Sequence, residues 1–431
     1  MKQWSVDIEE WAGLVANWAG QHQDVFLLNS CNQPDTGNLG EYEVMAGVGI
    51  KHFYQLAKEK QVDWQALDRF ANTKTWKFFV ISYDLNSREI NPQSSVAADE
   101  MAWPLMYMLE PLEVVTLSRH GELTIYADDP EELFRIIKDN SGIKKASQFK
   151  ISGGSARDSM SEREHAQKVA YIREEIAAGN MYEINLCIES IIDDIAISNP
   201  YALHSQLLAN SPSPFSGYVK IGPMHLLSAS PERYLKKSGN RIYSQPIKGT
   251  SSRSEQVDQD SASKEYLSNS LKERAEHVMI VDLVRNDLSR VCKTGSIKVE
   301  ELCGIHGYRQ VYQMISTVSG ELLNGVGFVD ALRASFPMGS MTGAPKRIVM
   351  SYIDAIEQAA RGWYSGSIGY IRPDGDFDAN VVIRSLLYDS DKQKAKYAAG
   401  GAITHDSDAQ AEYNECLLKS SAIRDLLDKV G

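Results

Sequence analysis

The chain has 431 residues, 43% of them hydrophobic, 9% aromatic and 24% charged, which is ordinary globular composition with material for a large core. A net charge of −12 and the lack of a Lys/Arg run argue against a nucleic-acid binder. In so acidic a protein, an anionic substrate needs a locally positive pocket or a bound cation.

The five cysteines, Cys31, Cys187, Cys292, Cys303 and Cys416, are odd in number and lack metal-ligand spacing, so reduced thiols of a cytosolic protein are expected. The first residues, MKQWSVDIEEW, lack the apolar core of a signal peptide, and no stretch reaches transmembrane length. A soluble, cytoplasmic protein with no membrane partner is the expectation.

In chain order, residues 25–30 and 76–85 read as strands, and 113–126 as two strands around a His120-Gly121 turn. Residues 129–140 read as a helix with Asp129 and Pro130 at its start. Residues 1–150 form an N-terminal subregion without catalytic spacing, and SGGSARDSMS at 152–161 is the best linker to the rest, 151–431. A helix over about 162–178 buries His165, Val169, Ile172 and Ile176. A strand at 181–190, a helix at 199–215 and a strand pair, GYVKIGPMHLLSAS, follow.

The stretch Gln245-Pro246-Ile247-Lys248-Gly249-Thr250 is the pivot. Proline fixes one backbone dihedral and glycine frees another, so the backbone is shaped to present Lys248. A lysine in a partly dry cleft can lose its proton near neutral pH and act as a nucleophile; otherwise it is a solvated loop lysine. Strands at 233–235 and 241–243 around Ser238-Gly239-Asn240 fold back to set Glu232 opposite roughly Ile247. Glu232 and Lys248 then share the open end of one hairpin, as a proton-transfer pair or as a surface salt bridge.

Residues 251–263 read as a polar loop or mobile lid. The following helix places Leu267, Leu271, Ala275 and Val278 on one side and Glu273 and Glu276, spaced i, i+3, on one face. Near the C-terminus Glu412 and Glu415 repeat that spacing, with Lys419 beyond. Two acid pairs on two helices suit Mg²⁺, or each is solvated surface. Gly339 to Lys346 lacks Gly-Lys-Ser/Thr, so Pro345 at a helix start is the simpler reading than a nucleotide loop. Val349, Ile353 and Ile356 give that helix its buried stripe, while Thr342, Gly343 and the first helix amides could cradle an anion. A meander follows: 363–371, 381–389 and 394–403. Arg384 shares a strand face with Val382, Leu386 and Tyr388, and so needs a ligand carboxylate or a structural ion pair. Gly400-Gly401 allows close backbone approach by a strand or ligand.

Taken together, SASPERYL, PIKGT, EHVMIVDLVRNDL, FPMGSMTGAPK, WYSGSIGYI, VVIRSL, GGAITHDSDAQAEYNE and the closing lysine resemble the chorismate-utilising enzymes, most of all their aminodeoxychorismate synthase component I branch. The resemblance covers roughly residues 160–425, and more loosely LLNS at 27–30 and SYDLN at 82–86. It implies one α/β (α+β type) domain of two stacked antiparallel sheets with helices outside and the active site in a cleft between the halves. It further implies that Glu273, Glu276, Glu412 and Glu415 hold Mg²⁺ and through it the ring carboxylate of chorismate. Arg384 and Tyr364 would bind the enolpyruvyl carboxylate. Gly400, Gly401 and Ala402 would offer backbone amides to a carboxylate, with Thr342 and Lys419 nearby.

The implied activity is amination of chorismate at C4 to 4-amino-4-deoxychorismate, toward 4-aminobenzoate and folate. Lys248 would attack C2 and Glu232 would protonate the departing hydroxyl. Anthranilate synthases have alanine at the lysine's place, and an anthranilate synthase large subunit is the alternative. Glu183 stands where the branch usually has glutamine and where isochorismate and salicylate synthases have a water-activating lysine. Gln313 replaces a common histidine. These departures leave an inactive paralogue acting as a regulatory partner as a third reading. No cysteine has the setting of a glutaminase nucleophile, so ammonia is expected from a separate glutamine amidotransferase subunit.

Overall fold

Two antiparallel sheets, with helices against their outer surfaces, carry the chain. The computed structural model describes every residue except 35, 59, 87–98, 140–147, 358 and 429–431. The first sheet runs Lys2–Ser5, Glu122–Tyr126, Glu113–Ser118, Tyr42–Val48, Asp24–Asn29, Phe215–Ile221, Met224–Ser230, Ser385–Asp389, Lys394–Ile403, Glu183–Ile197 and Gly343–Ala344. The second runs Ile247–Ser252, Val311–Glu321, Arg241–Gln245, Arg233–Ser238, Phe377–Val381, Ser367–Ile371, Lys77–Ile81, Met106–Glu110 and His52–Leu56. Both sheets draw strands from either side of residue 150. Asp24–Asn29 pairs with Phe215–Ile221, and Lys77–Ile81 with Ser367–Ile371.

A buried cluster lies between the sheets, with Phe26, Val219 and Leu226 from the first meeting Phe78, Val80 and Ile368 from the second. Gly47 and Gly217 sit in this layer because a Cβ would strike Phe78 at 2.5 Å and Ile368 at 2.9 Å. On the outer face of the first sheet, helices Ile8–Ala19, Pro130–Asp139, Pro200–Asn210 and Ala409–Asp428 cover a second cluster. The Pro130–Asp139 helix starts as expected, Asp129 accepting from the Glu132 amide; Asn140 lies outside the described residues. The five cysteines are free, and among the described residues no helix is long and apolar enough to cross a membrane.

Three expectations are corrected. Residues 152–158 are not a linker. They belong to the strand Ile151–Asp158, paired along Ser190–Ile197. The strand is an exposed sheet edge, so it needs no apolar side chains and its Ser/Gly composition mimics a loop. Residues 257–263 are not a lid but begin the helix Val257–Asn269, behind the strand Ile247–Ser252. The helix Leu271–Ser289, separate from it, buries Glu276, His277, Ile280, Val281 and Val284, whereas Leu271 and Val278 are exposed. Its inner face is partly polar because it borders a cleft, which defeats a hydrophobic stripe as a guide.

One buried ion pair fastens the cleft wall. The Arg361 guanidinium is 3% exposed and donates to Glu357 Oε1 at 2.7 Å, Glu357 Oε2 at 2.9 Å, and the carbonyls of Asn185 and Met341 at 2.9 and 2.6 Å. Glu357 also accepts the Cys187 amide at 2.9 Å. This ties the end of the helix Lys346–Glu357 to the strand Glu183–Ile197. Removing one partner strands a buried charge, so Glu357→Ala should destabilise the fold by about 3–5 kcal/mol in urea denaturation, and the double variant Glu357→Ala/Arg361→Leu should recover most of that loss. A single variant within about 1 kcal/mol of wild type would contradict the role assigned to the pair.

Candidate active site

Four elements surround a cleft of about 850 Å³. They are the strand Ile247–Ser252 at the edge of the second sheet, the helices Leu271–Ser289 and Ala409–Asp428, and the strands Glu183–Ile197 and Lys394–Ile403 of the first sheet. Lys248, Glu232, Glu273, Glu276, Glu412, Glu415, Arg384, Tyr364, Gly400, Ala402 and Lys419 all line it. The structure thus brings eleven of the thirteen expected residues to one cavity. Gly401 and Thr342 stand in its wall instead. A Cβ on Gly401 would lie 3.2 Å from Glu412 Oε2. Thr342 is fully buried, its hydroxyl turned to the Met338 and Gly339 carbonyls.

The hairpin expectation holds. Arg233 pairs with Gln245, and the Ile247 amide donates to the Glu232 carboxyl, so Glu232 and Lys248 share the hairpin's open end. Past Lys248 the strand bulges: Lys248 pairs with Met314, Thr250 with Gln313, and Gly249 between them has φ +74°. A Cβ at Gly249 would lie 2.9 Å from both Leu267 and Glu273 Oε2, so only glycine fits against the Leu271–Ser289 helix there.

The charge state of Lys248 differs from the expectation. Its Nζ lies 2.6 Å from Glu183 Oε1. Burial pulls the lysine's pKa down, but Glu183 and then Glu276 and Glu415 more than offset this and leave it raised. The resting amine is therefore an ammonium, because the surrounding acids, Glu183 on the opposite sheet foremost, together outweigh desolvation. Glu232 behaves oppositely. Burial pushes its carboxyl up to about 7, against smaller downward pulls from Ser340, Lys248 and the Ile247 amide. It can carry a proton at neutral pH.

Arg384 reaches the cleft by a route the sequence hid. The segment 381–389 is two strands: Phe377–Val381 ends in the second sheet and Ser385–Asp389 begins in the first. The chain changes sheets between them, and Arg384 takes φ +52° at the crossing. Among the described residues its guanidinium makes no ion pair; it lines the cleft, with Tyr364 and Glu415 the charges that bear on it. Tyr364 lies behind it, with Cys187 Sγ 3.8 Å from its hydroxyl.

The acids face ammonium groups. Lys272 Nζ stands 3.3 Å from Glu412 Oε1 and 3.9 Å from Glu276 Oε1, and Lys419 Nζ stands 2.5 Å from Glu415 and 2.8 Å from the Gly400 carbonyl. Among the described residues, no three His, Cys, Asp or Glu side chains are grouped closely enough as placed to hold a metal ion. The donor chemistry nevertheless fits a hard cation. Among the described residues Glu276 Oε1 is buried without a hydrogen-bond partner, and burial together with neighbouring acids lifts its carboxyl to about 7, despite the nearby lysines. The oxygen donors between the two helices already draw in a positive group, that of Lys272.

Sequence reasoning missed Asn185, Lys272 and Ser340, which also line the cleft, and gave Glu183 no role. The signal was present: Glu183, Asn185 and Cys187 alternate with Ile184, Leu186 and Ile188, which are packed under the helices Glu162–Ala177 and Lys346–Glu357. Strand alternation therefore turns the polar set toward the cleft.

Comparison with known proteins follows the same geometry. A family model described as chorismate binding enzyme matches residues 23–425. A protein named aminodeoxychorismate synthase from Streptomyces griseus is 40% identical over 257 residues, which are 59% of this chain but only 35% of that longer protein. Aminodeoxychorismate synthase component 1 of Bacillus subtilis is 32% identical over 370 residues, 81% of this chain and 76% of that one. Anthranilate synthase component 1 of Thermus thermophilus is 34% identical over 352 residues, 79% of this chain and 75% of that one.

Proposed function

The chain belongs to the chorismate binding enzyme family, and from that membership we propose that it aminates chorismate at C4 to give 4-amino-4-deoxychorismate. Ammonia would come from a separate glutamine amidotransferase subunit, in keeping with a relative named as a component 1. The observation that carries the reading is Lys248, a largely buried amine facing the cleft beside a protonatable Glu232 and an Arg384 that makes no ion pair among the described residues.

Arg384 holds the enolpyruvyl carboxylate by a bidentate charge-assisted contact, with Tyr364 behind. The amides at Gly400 and Ala402 receive a carboxylate. Glu273, Glu276, Glu412 and Glu415 hold Mg²⁺, which when bound neutralises the negative charge of the ring carboxylate. Lys248 Nζ forms a bond to C2 while the C4–O bond breaks and Glu232 gives its proton to the departing hydroxyl. Ammonia then bonds to C4 and the C2–N bond breaks, its electron pair returning to the lysine.

The anthranilate synthase reading is favoured by the Thermus relative, and would add ammonia at C2 and expel pyruvate. Chromatography of the product from purified protein, chorismate, Mg²⁺ and ammonium salt separates the two. We expect 4-amino-4-deoxychorismate and, without ammonium, a mass adduct on the Lys248 peptide. Anthranilate with no adduct would overturn the proposal.

A further inference from the structure

Glu183 is the acid most deeply placed at the nucleophile and the one the proposed reaction has not used. Its side chain is 1% exposed. One oxygen binds Lys248 Nζ at 2.6 Å, and among the described residues the other is buried without a hydrogen-bond partner. Such a carboxylate has one short contact to the amine and one free acceptor oxygen in a dry setting, within direct reach of the lysine's proton. Glutamine would make the same contact with Lys248 but could not take up a proton.

We infer that Glu183 takes the Lys248 proton as the amine attacks and returns it when the amine is expelled, making the pair, not the lysine alone, the working nucleophile. The inference rests on the proposed amination. Protons balance through the cycle. Glu183 removes one from the Lys248 ammonium, leaving a neutral amine. Attack at C2 makes the lysine nitrogen a charged secondary ammonium, and Glu232 loses its proton to the C4 oxygen, which leaves as water. Ammonia bonds to C4 and becomes a charged amino group, while the lysine departs as neutral amine. Glu183 then reprotonates the lysine, and the new amino group gives a proton to Glu232. No oxidant or further reactant is needed.

Several other groups bear on the lysine: Glu273, Glu276 and His277 from the Leu271–Ser289 helix, Glu415 from Ala409–Asp428, and Glu232 from the hairpin. Of these acids Glu183 makes the direct contact, so its charge should dominate.

The test is acylation of Lys248 by acetic anhydride at pH 7, read as the mass of its peptide, because it needs no turnover. In Glu183→Gln the amine loses its anionic partner, and labelling should rise about tenfold for each unit by which its pKa falls. Glu183→Asp keeps the charge and should label close to the wild-type rate. In turnover, Glu183→Gln must lose the lysine proton to solvent before attack, so the acid limb of kcat/KM should move to higher pH. Equal labelling in wild type and Glu183→Gln, matching rates in the Asp and Gln variants, or a lower kcat/KM with an unmoved limb would each overturn the inference and leave Glu183 a structural group. Product identity judges the two proposals apart. Anthranilate as the wild-type product would discard the C4 amination and, with it, the nucleophile pair, whatever the labelling. A C4 amine with unchanged labelling would keep the amination and discard the pair.

Discussion

Replacing Lys248 with alanine should lower C4 amination by about a thousandfold or more and abolish the adduct seen without ammonium, in the range found when an attacking group is deleted. The size follows from position. In Lys248→Ala no other amine among the described residues lining the cleft is free to replace it: Lys272 and Lys419 are committed to Glu412 and Glu415. Glu232 would keep its proton but have no leaving event to assist. The backbone ladder with Met314 remains, but Glu183 is left buried without its counter-charge, so the variant should keep the fold at reduced stability. Rates are best measured as single turnovers with saturating ammonium, with circular dichroism as the control. Wild-type turnover in a folded Lys248→Ala protein would remove the lysine from the chemistry.

The second large effect belongs to Glu276. Glu276→Gln should raise the Mg²⁺ concentration needed for half-maximal activity by about tenfold or more and reduce turnover by about a hundredfold. Glu276 is half protonated near pH 7 without a cation, since burial lifts its carboxyl to about 7. The sign of the linkage is then clear. A bound cation favours the ionised form, so Mg²⁺ affinity of the wild type should rise as pH climbs through 7, and that dependence should flatten in the glutamine variant. Isothermal titration with Mg²⁺ alone across pH 6 to 8 reads both. An unchanged Mg²⁺ midpoint with full activity would place the metal elsewhere.

Much of this site was legible without coordinates because it rests on short-range rules. The hairpin around Ser238-Gly239-Asn240 fixes Glu232 beside Lys248, and i, i+3 spacing fixes both acid pairs on helix faces. What escaped depends on long-range packing. Glu183 and Lys248 lie 65 residues apart on different sheets, and no local pattern announces their contact. The face expected to join Arg384 with Val382, Leu386 and Tyr388 does not form, because a strand that changes sheets midway does not keep its alternation: Val382 packs between the sheets, and Leu386 and Tyr388 pack outside the first. The helix Leu271–Ser289 shows the same limit from the other direction: a helix bordering a wet cleft turns acids inward, and its apolar residues Leu271 and Val278 face out.

The division of the Glu183–Lys248 pair between two sheets has a mechanical corollary. Each sheet is stiffened by its own ladder, but the two touch chiefly through side chains, which slide more readily than ladders break. A relative displacement of only about 1 Å would stretch this contact beyond bonding distance while leaving every ladder whole. Catalytic competence in this molecule is thus a gauge of alignment between its halves, and is forfeited well before the secondary structure is.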